Sequence, residues 1–546
     1  MTLAKFLRLL NTIRYLKFRQ ILYRLINLFY KGVLPSKSLS LIIRKHFYHS
    51  IEFISHDDLL VGPKEFVFLN KKGDLNHSGW ESEEMTKLWL YNLHYFDFLI
   101  SKTPGQRDIK LDLLLNWVAN NKPGKGVGWE PYPSSLRIVN WIKWALSGNT
   151  LPNKCIDSLA FQSAWLNSRI EYHLMGNHLF SNAKALIFAG CFFAGKEANH
   201  WFNKGIKIVS VELKEQVLED GGNFELSPMY HAIFLEDLLD LINLSLSFPN
   251  MFSAEVVETW RAKASKMTFW MKSMIHPDGD IALFNDAALG IAPKPEKITN
   301  YAQSLGVDVP SLPSFFTHLE SSGYLRLEDQ YKVLIIDAAK VGPDYLPGHA
   351  HADTLSFELS LFNERVFVNG GTSEYESGDI RQFERSTAAH NTVVVNQQNS
   401  SEVWAGFRVA RRAYPEDLKI KQSDNETIIS CSHNGYERLS RGLRHNREWR
   451  SSKKFIEVND FVKGNFSDAY AYYHLSPDID IKSIKSSKIN LMTKKKKAIQ
   501  IDIFDSSFEI LEGFYSPEFG KRMSNKCLKL KLNKILGASL RVSWEQ

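Results

Sequence analysis

The spacing of apolar residues changes abruptly along this chain of 546 residues. From about residue 83 to residue 275, apolar residues recur every three or four positions, as in LRIVNWIKWAL (136–146). That spacing is typical of helices that bury one face. From about residue 323 the spacing falls to two, as in TLSFELSLF (354–362), which is typical of antiparallel strands. We therefore expect an α+β multidomain chain whose helical part precedes its β part.

The segment boundaries follow from the same pattern. Several antiparallel helices form a bundle, a solenoid or a toroid, and many short strands form a large sandwich. A Pro-rich stretch from residue 293 to residue 313 separates the two textures. The prediction is a basic N-terminal segment, a helical domain and a β domain, over residues 1–60, 61–310 and 311–546.

Three local signals predict where elements begin and turn. Ser227 followed by Pro228 is typical of a helix start, with serine as the cap and proline in the first turn. Asn363 and Glu364 indicate a turn between two strands, and the lysine run at 494–497 indicates a solvated turn between two more.

Composition excludes several classes of protein. Hydrophobic residues make up 44% and charged residues 23%, which excludes a disordered, collagen-like or coiled-coil chain. The four cysteines are far apart, so there is no CxxC metal or redox motif. The net charge is +7, yet residues 1–51 contain ten Lys or Arg and no Asp or Glu, leaving −3 on the rest. Since a general nucleic-acid binder spreads basic charge over its folded body, we expect no nucleic-acid partner.

The basic N-terminal stretch, residues 1–33, has apolar residues at helical spacing with basic residues between them. It lacks the unbroken apolar core and cleavage site of a signal peptide, and charges interrupt it too often for a membrane span. Two interpretations remain open. The stretch lies on an anionic membrane surface as a peripheral contact, or it packs on the body of the chain with its charges in water.

The densest polar cluster is GHAHAD (348–353), which places His349, His351 and Asp353 two residues apart. In an extended segment all three side chains point to one face, and His-x-His is a frequent metal-ligand spacing. A third imidazole, His390, would complete a three-histidine centre, or a centre of two histidines and one oxygen ligand, for which Asn369 is the candidate. Two hydrogen-bonded histidines at a sheet edge are the alternative.

The helical half contains two further polar clusters. His173 and Asn177 are four residues apart and would share one face of a helix. Asn177 and His178 follow a glycine and indicate a helix start. Glu225 and Tyr230 stand at the second helix start, around Ser227.

Eight stretches in a fixed order resemble the heparinase II/III family of polysaccharide lyases. They are WLYNLHYFDFL (89–99), GWEPYPSSLRIVNWIKW (128–144), GNHLFSNAKAL (176–186), NFELSPMYH (223–231), IALFNDAA (281–288), GHAHADTLSFEL (348–359), RSTAAHNTVVV (385–395) and SEVWAGFRVARRA (401–413). The chain is similar in particular to members found with bacterial surface-polysaccharide genes, whose N-termini resemble RYLKFRQILYRL (14–25).

The resemblance implies an incomplete (α/α) toroid followed by an antiparallel β-sandwich, with a cleft between them. It also implies β-elimination on a uronic-acid polysaccharide. The proton to be removed lies α to a carboxylate, so donors must stabilise the charge that builds on that group. A base takes the proton and an acid protonates the departing glycosidic oxygen.

The resemblance also implies roles for individual residues. Asn177 would neutralise the substrate carboxylate. Tyr230 would act as acid, and as base for one uronate epimer, while His349 would assist as base or charge neutraliser for the other. His178 is a secondary catalytic candidate. The residues expected to line the saccharide cleft are Trp129, Glu130, Arg137, Asn285, Asp286, Arg381, Trp404 and Arg408.

The implied cofactor is one structural zinc ion, and no organic cofactor is expected. His351 and His390 match the family's zinc-binding positions, but Asn369 stands where the family has an aspartate. A neutral amide oxygen is a poorer ligand for a divalent ion than a carboxylate. A hydrogen-bonded cluster without metal is therefore the alternative.

Three other functions remain as alternatives. A glycoside hydrolase would use two carboxylates, for which Glu225 and Asp286 are available. A non-catalytic polysaccharide-binding or assembly factor is suggested by the change at Asn369, and GHAHAD suggests a metallohydrolase. Because the family is typically exported, we expect the periplasm or cell envelope, with a cytoplasmic or membrane-peripheral location as the alternative.

Overall fold

A computed structural model describes residues 3–30, 34–35, 41–44, 52–55, 59–101 and 105–545. Parts of the basic N-terminal segment, including residues 1–2 and 31–33, lie outside these ranges. The helices are α1 (Leu3–Ile13), α2 (Phe18–Phe29), α3 (Leu75–Ser78), α4 (Lys87–Tyr95), α5 (Arg107–Asn120), α6 (Pro131–Leu146), α7 (Asn153–Asn167), α8 (Gly176–Phe192), α9 (Lys196–Gln216), α10 (Pro228–Ser247), α11 (Ala254–Ser273), α12 (Pro295–Ser304) and α13 (Asp379–Glu384). No helix within these ranges is long and apolar enough to cross a membrane.

Helices α6, α8 and α10 form the centre of the helical part. Nearly every residue of α8 is buried, and α8 packs along α9 and α6. The approach of α8 and α9 requires glycine. A Cβ on Gly190 would lie 2.7 Å from the carbonyl oxygen of Ala198, and one on Gly205 would lie 2.8 Å from that of Ala183. The helical period of the sequence therefore corresponds to one continuous apolar core.

All pairings within the sheets are antiparallel. Two small sheets join β1 (Ile42–Ile43) to β5 (Phe193–Ala194), and β2 (Leu60–Gly62) to β3 (Glu65–Phe68) and β4 (Lys71–Asp74). A five-stranded sheet has the order β10-β9-β8-β7-β6, with β6 (Phe316–Leu319), β7 (Tyr324–Glu328), β8 (Lys332–Asp337), β9 (Phe357–Leu361) and β10 (Glu364–Phe367).

Two larger sheets and a short ribbon complete the β part. The four-stranded sheet has the order β11-β18-β23-β22, the eight-stranded sheet β14-β15-β16-β17-β24-β21-β20-β19, and β12 pairs with β13. Their bounds are β11 (Val393–Val395), β12 (Val403–Trp404), β13 (Arg408–Val409), β14 (Pro415–Gln422), β15 (Glu426–His433), β16 (Arg444–Ser452), β17 (Phe455–Lys463), β18 (Ala469–His474), β19 (Asp480–Lys485), β20 (Lys488–Met492), β21 (Ala498–Phe504), β22 (Phe508–Glu518), β23 (Lys521–Lys531) and β24 (Ala538–Trp544).

The local turn signals are confirmed. Helix α10 begins at Pro228, and the Ser227 hydroxyl accepts a hydrogen bond from the Tyr230 amide. Asn363 lies in the two-residue turn between β9 and β10, and the lysine run at 494–497 lies between β20 and β21. The alternating strands contribute their inward residues to one shared apolar core.

Strand β9 is buried on both faces. Its apolar residues enter the shared core, while Glu358 and Ser360 face the helical part. There, His276 places its Nε2 2.9 Å from the Glu358 carboxylate and its Nδ1 2.8 Å from the Ser360 hydroxyl. The polar side of this strand is therefore covered by the helical part and not by water.

A buried ion pair crosses strands β16 and β17. The Asp460 carboxylate accepts hydrogen bonds from Arg447 at 2.7 and 2.8 Å and from the Tyr473 hydroxyl at 2.8 Å, and it contacts His445 at 2.7 Å. Burial alone would raise the pKa of Asp460, but Arg447 and His445 more than offset this and lower it.

Replacing Asp460 with asparagine leaves the Arg447 guanidinium buried without its counter-ion, which is expected to cost about 3–5 kcal/mol of unfolding free energy. Because the pKa of Asp460 is lowered in the folded state, this stabilisation is present above pH about 4 and is lost as the pH falls further. Denaturant unfolding at several pH values measures it. The substitution Asp480→Asn, which affects an exposed 2.9 Å pair with Lys482, is the control and should have a much smaller effect on stability. Equal losses at neutral pH would contradict the prediction.

Candidate active site

A cavity of about 660 Å³ lies between the helical part and the β part. Helices α4, α6, α8 and α10 form one side, and loops of the β part around residues 346–349, 375–376 and 407 form the other. The three predicted catalytic residues, Asn177, Tyr230 and His349, all line it. The structure thus brings together residues that are up to 172 positions apart in the sequence.

Tyr230 is held at the start of α10. Its hydroxyl lies 2.9 Å from the hydroxyl of Tyr375, and its ring lies against the His349 imidazole with centroids 3.8 Å apart. Burial, the neighbouring Tyr375 and the charge of Asp286 raise the pKa of Tyr230 well above its ordinary value. The resting phenol therefore carries its proton and can act as an acid.

Asn177 is the second residue of α8, after Met175 and Gly176, which both adopt positive φ angles. Its amide oxygen is buried and has no hydrogen-bond partner among the described residues. An unsatisfied buried amide in a cavity wall is unusual, since such groups are normally paired. It is free to contact a ligand. The expected pairing of Asn177 with His173 on one helical face is wrong, because α8 begins only at Gly176.

His349 is oriented by a carboxylate. Its Nδ1 lies 3.0 Å from Oδ2 of Asp286, and its Nε2 lies 3.6 Å from Oε2 of Glu225. Because Asp286 is ionised, it accepts the Nδ1 proton and fixes that tautomer. The opposite nitrogen, Nε2, then faces the Glu225 carboxyl group at the cavity wall.

Asp286 is fully buried and holds several segments together. Arg381 donates to both carboxylate oxygens, at 2.7 Å from Nη2 to Oδ2, and His351 contacts Oδ1 at 2.8 Å. The backbone of Asp286 bonds to His349 at 2.9 Å and accepts from the Ser227 hydroxyl at 2.6 Å. Burial alone would raise the pKa of Asp286, but Arg381 and the two histidines lower it well below its ordinary range.

GHAHAD is a loop and not a strand, so the expected extended geometry is wrong. The two imidazoles nevertheless converge, because both contact the Asp286 carboxylate. The Asp353 side chain does not contact Asp286 and instead accepts a hydrogen bond from the backbone N–H of Asn285 at 3.2 Å. The two histidines therefore meet at a carboxylate of the protein itself.

The candidate zinc ligands form a linear hydrogen-bonded chain. His351 Nδ1 lies 3.1 Å from His390 Nε2, and His390 Nδ1 lies 3.2 Å from Oδ1 of Asn369. The Asn369 oxygen therefore faces the opposite side of the His390 ring from His351, and the three donors do not converge on one point. Among the described residues there is also no group of three His, Cys, Asp or Glu side chains able to hold a metal. The zinc ligand set does not fit as arranged.

In this hydrogen-bonded series, every proton can be assigned to a donor with an acceptor without placing a metal. His351 donates to Asp286 from Nε2, and its Nδ1 accepts from His390 Nε2. Burial lowers the pKa of His351 to about 4 and that of His390 well below its ordinary value, so both rings are neutral. His390 Nδ1 then needs a donor, and the Asn369 Nδ2 group has no partner in the described part of the chain. Exchanging the two amide atoms of Asn369, which have nearly equal shape, satisfies both groups.

None of the eight residues expected to line the cleft lines the cavity, so this prediction is wrong. Trp129 and Arg137 are buried in the core of the helical part. The Arg137 guanidinium lies 3.9 Å from the ring centroid of Trp117 and donates to Gln162 at 2.8 Å. Their shared motif therefore contributes to packing.

The other six residues lie behind the cavity wall or away from it. Asn285, Asp286 and Arg381 are buried behind His349. Glu130 binds Lys87 at 2.9 Å and Tyr91, two residues that do line the cavity. Trp404 stacks on Arg408 at 4.9 Å and donates to Thr12 of α1 at 3.1 Å, outside the cavity.

His178 also lines the cavity, where its ring lies 4.4 Å from that of Tyr132. Its Nδ1 lies 3.3 Å from the Glu171 carboxylate. Burial opposes the charged form, but Glu171 outweighs it and raises the pKa of His178. Sequence reasoning missed Tyr375, the partner of Tyr230. Its position in a polar loop beside Gly370 and Gly371 gave only a weak signal.

Replacing Asn369 with aspartate is expected to raise zinc affinity, because a carboxylate joins two imidazoles. Elemental analysis after dialysis against zinc should find about one zinc per chain in Asn369→Asp and far less in the native chain. Zinc should also raise the melting temperature of the variant only. The double variant Asn369→Asp/His390→Gln is the control and should lose both effects. A full equivalent of zinc in the native chain would contradict the metal-free arrangement.

The chain is similar in sequence to several known proteins. Among curated proteins, it is 30% identical to a heparin-sulfate lyase of Bacteroides stercoris over 286 residues, which is 48% of this chain and 41% of that protein. It is also 25% identical to FtsZ-localized protein C of Caulobacter vibrioides over 406 residues, which is 71% of this chain and 66% of that protein. The chain thus spans about two fifths of the length of the first relative.

Solved structures and family models agree on the fold. A crystal structure of heparinase III superposes with a TM-score of 0.71 at 19% identity, covering 96% of this chain and 88% of that chain. The heparinase II/III N-terminus model matches residues 81–305, and the heparinase II/III-like C-terminal model matches residues 313–532. Together the two matches cover most of the sequence, and the chain therefore belongs to the heparinase II/III family.

Proposed function

We propose that this chain is a polysaccharide lyase that cleaves a uronic-acid polysaccharide by β-elimination. The reaction takes place between a helical domain with the incomplete (α/α) toroid of the family and an antiparallel β-sandwich. The observation that carries the proposal is the shared cavity of Asn177, Tyr230 and His349. It combines an amide whose oxygen is unpaired among the described residues, a protonated phenol and an imidazole oriented by Asp286.

The amide addresses the difficult part of the reaction, which is removal of a proton α to a carboxylate. Asn177 stands at the N-terminus of a 17-residue helix, where the helix dipole favours negative charge. Placed against the substrate carboxylate, the Nδ2 group of Asn177 donates hydrogen bonds that stabilise the charge growing there as the proton leaves.

The proton transfers follow from the contact between His349 and Tyr230. His349 Nε2 takes the proton from the carbon α to the carboxylate, and Asp286 stabilises the resulting imidazolium. The freed electron pair forms the new carbon–carbon double bond, and the bond from the β-carbon to the glycosidic oxygen breaks. Tyr230 protonates that oxygen and is restored by the proton held on His349. For the opposite uronate epimer, Tyr230 serves as both base and acid.

The buried carboxylates argue against a glycoside hydrolase. That chemistry needs two carboxyl groups in contact with the scissile bond. Asp286 is fully buried, and Arg381, His349 and His351 occupy its oxygens. Of these two carboxylates only Glu225 lines the cavity, where burial raises its pKa. Asp97, Glu236, Asp237, Asp240 and Glu376 also line it, and lysines already pair with Asp237 and Asp240. Asn177, Tyr230 and His349 all line the cavity, whereas Glu225 and Asp286 do not both reach it, so the site favours elimination over hydrolysis by this pair.

The charges of the cavity indicate a glycan of low charge density. Among the described residues, three lysines and no arginine line the cavity. Lys143 lies 2.5 Å from Asp240, Lys184 lies 2.5 Å from both Asp237 and Asp240, and Lys87 is paired with Glu130. Sulfate groups are usually bound by Arg or Lys through charge-assisted hydrogen bonds. Since these cations already have carboxylate partners, we propose a substrate with uronate carboxylates and few or no sulfate groups.

A non-catalytic polysaccharide-binding or assembly factor is the second candidate. It is favoured by the change from aspartate to Asn369 and by the similarity to FtsZ-localized protein C, whose name does not denote a lyase. The two candidates differ in whether any glycan is cut.

Replacing Tyr230 with phenylalanine removes one hydroxyl and is expected to lower kcat/KM at least about a hundredfold, because the acid is lost. Ultraviolet absorbance of the new double bond, conjugated to a carboxylate, measures the reaction on a panel of uronate glycans. Tyr470→Phe, on β18 outside the cavity, is the matched control and should keep full activity. Unchanged turnover by Tyr230→Phe would remove this residue from the mechanism. Binding without cleavage by the native chain would favour the non-catalytic candidate.

Removing sulfate from a substrate should increase turnover. Heparan sulfate and its chemically desulfated, N-acetylated form share one backbone and are a suitable pair. We expect kcat/KM to be at least about tenfold higher on the desulfated form, because added sulfates meet carboxylates or already paired lysines. A preference for the sulfated form would contradict the charge argument.

A further inference from the structure

The N-terminal hairpin, formed by α1 and α2, is attached to the body of the chain through its polar side. Gln20 is fully buried and donates to the carbonyl oxygen of Tyr345 at 3.2 Å. Lys17 binds Glu215 at 2.5 Å, and Asn27 lies 3.1 Å from His173. These contacts reach both the helical part and the β part.

Helix α1 is attached in the same way. Thr12 accepts a hydrogen bond from the Trp404 indole at 3.1 Å, and the Arg412 guanidinium lies 3.8 Å from the ring centroid of Tyr15. Arg8 lies 4.0 Å from the Glu402 carboxylate. Polar and aromatic groups thus hold the whole hairpin to the body.

The outward side of the hairpin is apolar. In α2, Phe18 is 78% exposed, Leu28 69% and Phe29 90%. The other exposed apolar residues of the hairpin are Phe6, Leu7, Leu10, Ile13, Ile21, Leu22, Leu25 and Ile26. An amphipathic helix of a soluble domain normally turns this side toward the core. The arrangement is the reverse, so the expectation of a hairpin packed on the body with its charges in water is wrong for the apolar side.

The charge of the segment indicates which kind of partner binds the apolar side of the hairpin. Residues 1–51 carry ten basic and no acidic residues, and Arg14 and Arg24 are exposed on the hairpin itself. A second copy of the same hairpin would bring two strongly positive surfaces together. An anionic lipid surface complements both the apolar side and the positive charge.

The hairpin lies beside the cavity. Its contacts Tyr345 and His173 are each next to a cavity-lining residue, Leu346 and Leu174. We propose that the hairpin docks the chain on an anionic membrane surface, with its apolar side among the lipids and the cavity held near the headgroups. No helix of the described residues spans a membrane, so the contact is peripheral.

Vesicle sedimentation tests the proposal with the full chain. Vesicles of phosphatidylcholine with about one quarter phosphatidylglycerol should bind the native chain, whereas pure phosphatidylcholine should bind it at least about tenfold less, and added salt should weaken binding. The variant Phe18→Ser/Leu28→Ser/Phe29→Ser should bind the anionic vesicles at least about tenfold more weakly.

Ile535→Ser/Leu536→Ser is the matched control. These two residues are 82% and 62% exposed on a turn of the β part, so the change also removes exposed apolar surface, but away from the hairpin. Its binding should equal that of the native chain. Both variants should keep the native thermal unfolding curve and native cleavage of a soluble glycan, which separates this proposal from the lyase proposal. Absence of vesicle binding, equal binding to neutral vesicles, or a native dimer that the triple variant abolishes would overturn it.

Discussion

The carboxylate of Asp286 holds the candidate site together. It accepts both arms of Arg381 and contacts His349 and His351, while its backbone bonds to Ser227 at the start of α10. One buried group therefore positions the imidazole and the helix that carries Tyr230. A buried carboxylate without partners would cost several kcal/mol, so its partners are also required for stability. Folding and site geometry depend on the same contacts.

Asp286 is also the end of a hydrogen-bonded series that contains the candidate zinc ligands. In the hydrogen-bonded series from Asp286 through His351 and His390 to Asn369, each neutral ring donates to one neighbour and accepts from the next. The series fixes the orientation of the carboxylate that faces His349. A neutral amide at its end suits this role, whereas a carboxylate at Asn369 would suit a cation.

Much of the fold follows from the sequence pattern. The change in apolar spacing predicts the helical and β parts, and Ser227 with Pro228 predicts the start of α10. The site residues Asn177, Tyr230 and His349 were found through ordered motifs, and the structure places all three in one cavity. The motifs did not separate lining residues from core residues, which is why Trp129 and Arg137 were misplaced.

Other features depend on tertiary contacts that no local pattern encodes. The alternation in β9 normally indicates one face in water, yet Glu358 meets His276 from the helical part. GHAHAD has the spacing of a strand, but its histidines are held in a loop by Asp286. The direction in which α1 and α2 face could not be predicted either, since an amphipathic pattern shows two sides and not which one meets the body.

Elimination is the central claim, and the origin of the oxygen atoms at the cleavage site tests it most directly. A responsive uronate glycan would be cleaved in heavy-oxygen water and its products weighed by mass spectrometry. Elimination adds no water, so in products reduced at once, before the new reducing end exchanges its anomeric oxygen with solvent, the account predicts no heavy oxygen and, in one fragment, a carbon–carbon double bond conjugated to the carboxylate. Incorporation of heavy oxygen into the new end, without that double bond, would mean hydrolysis and would contradict the account.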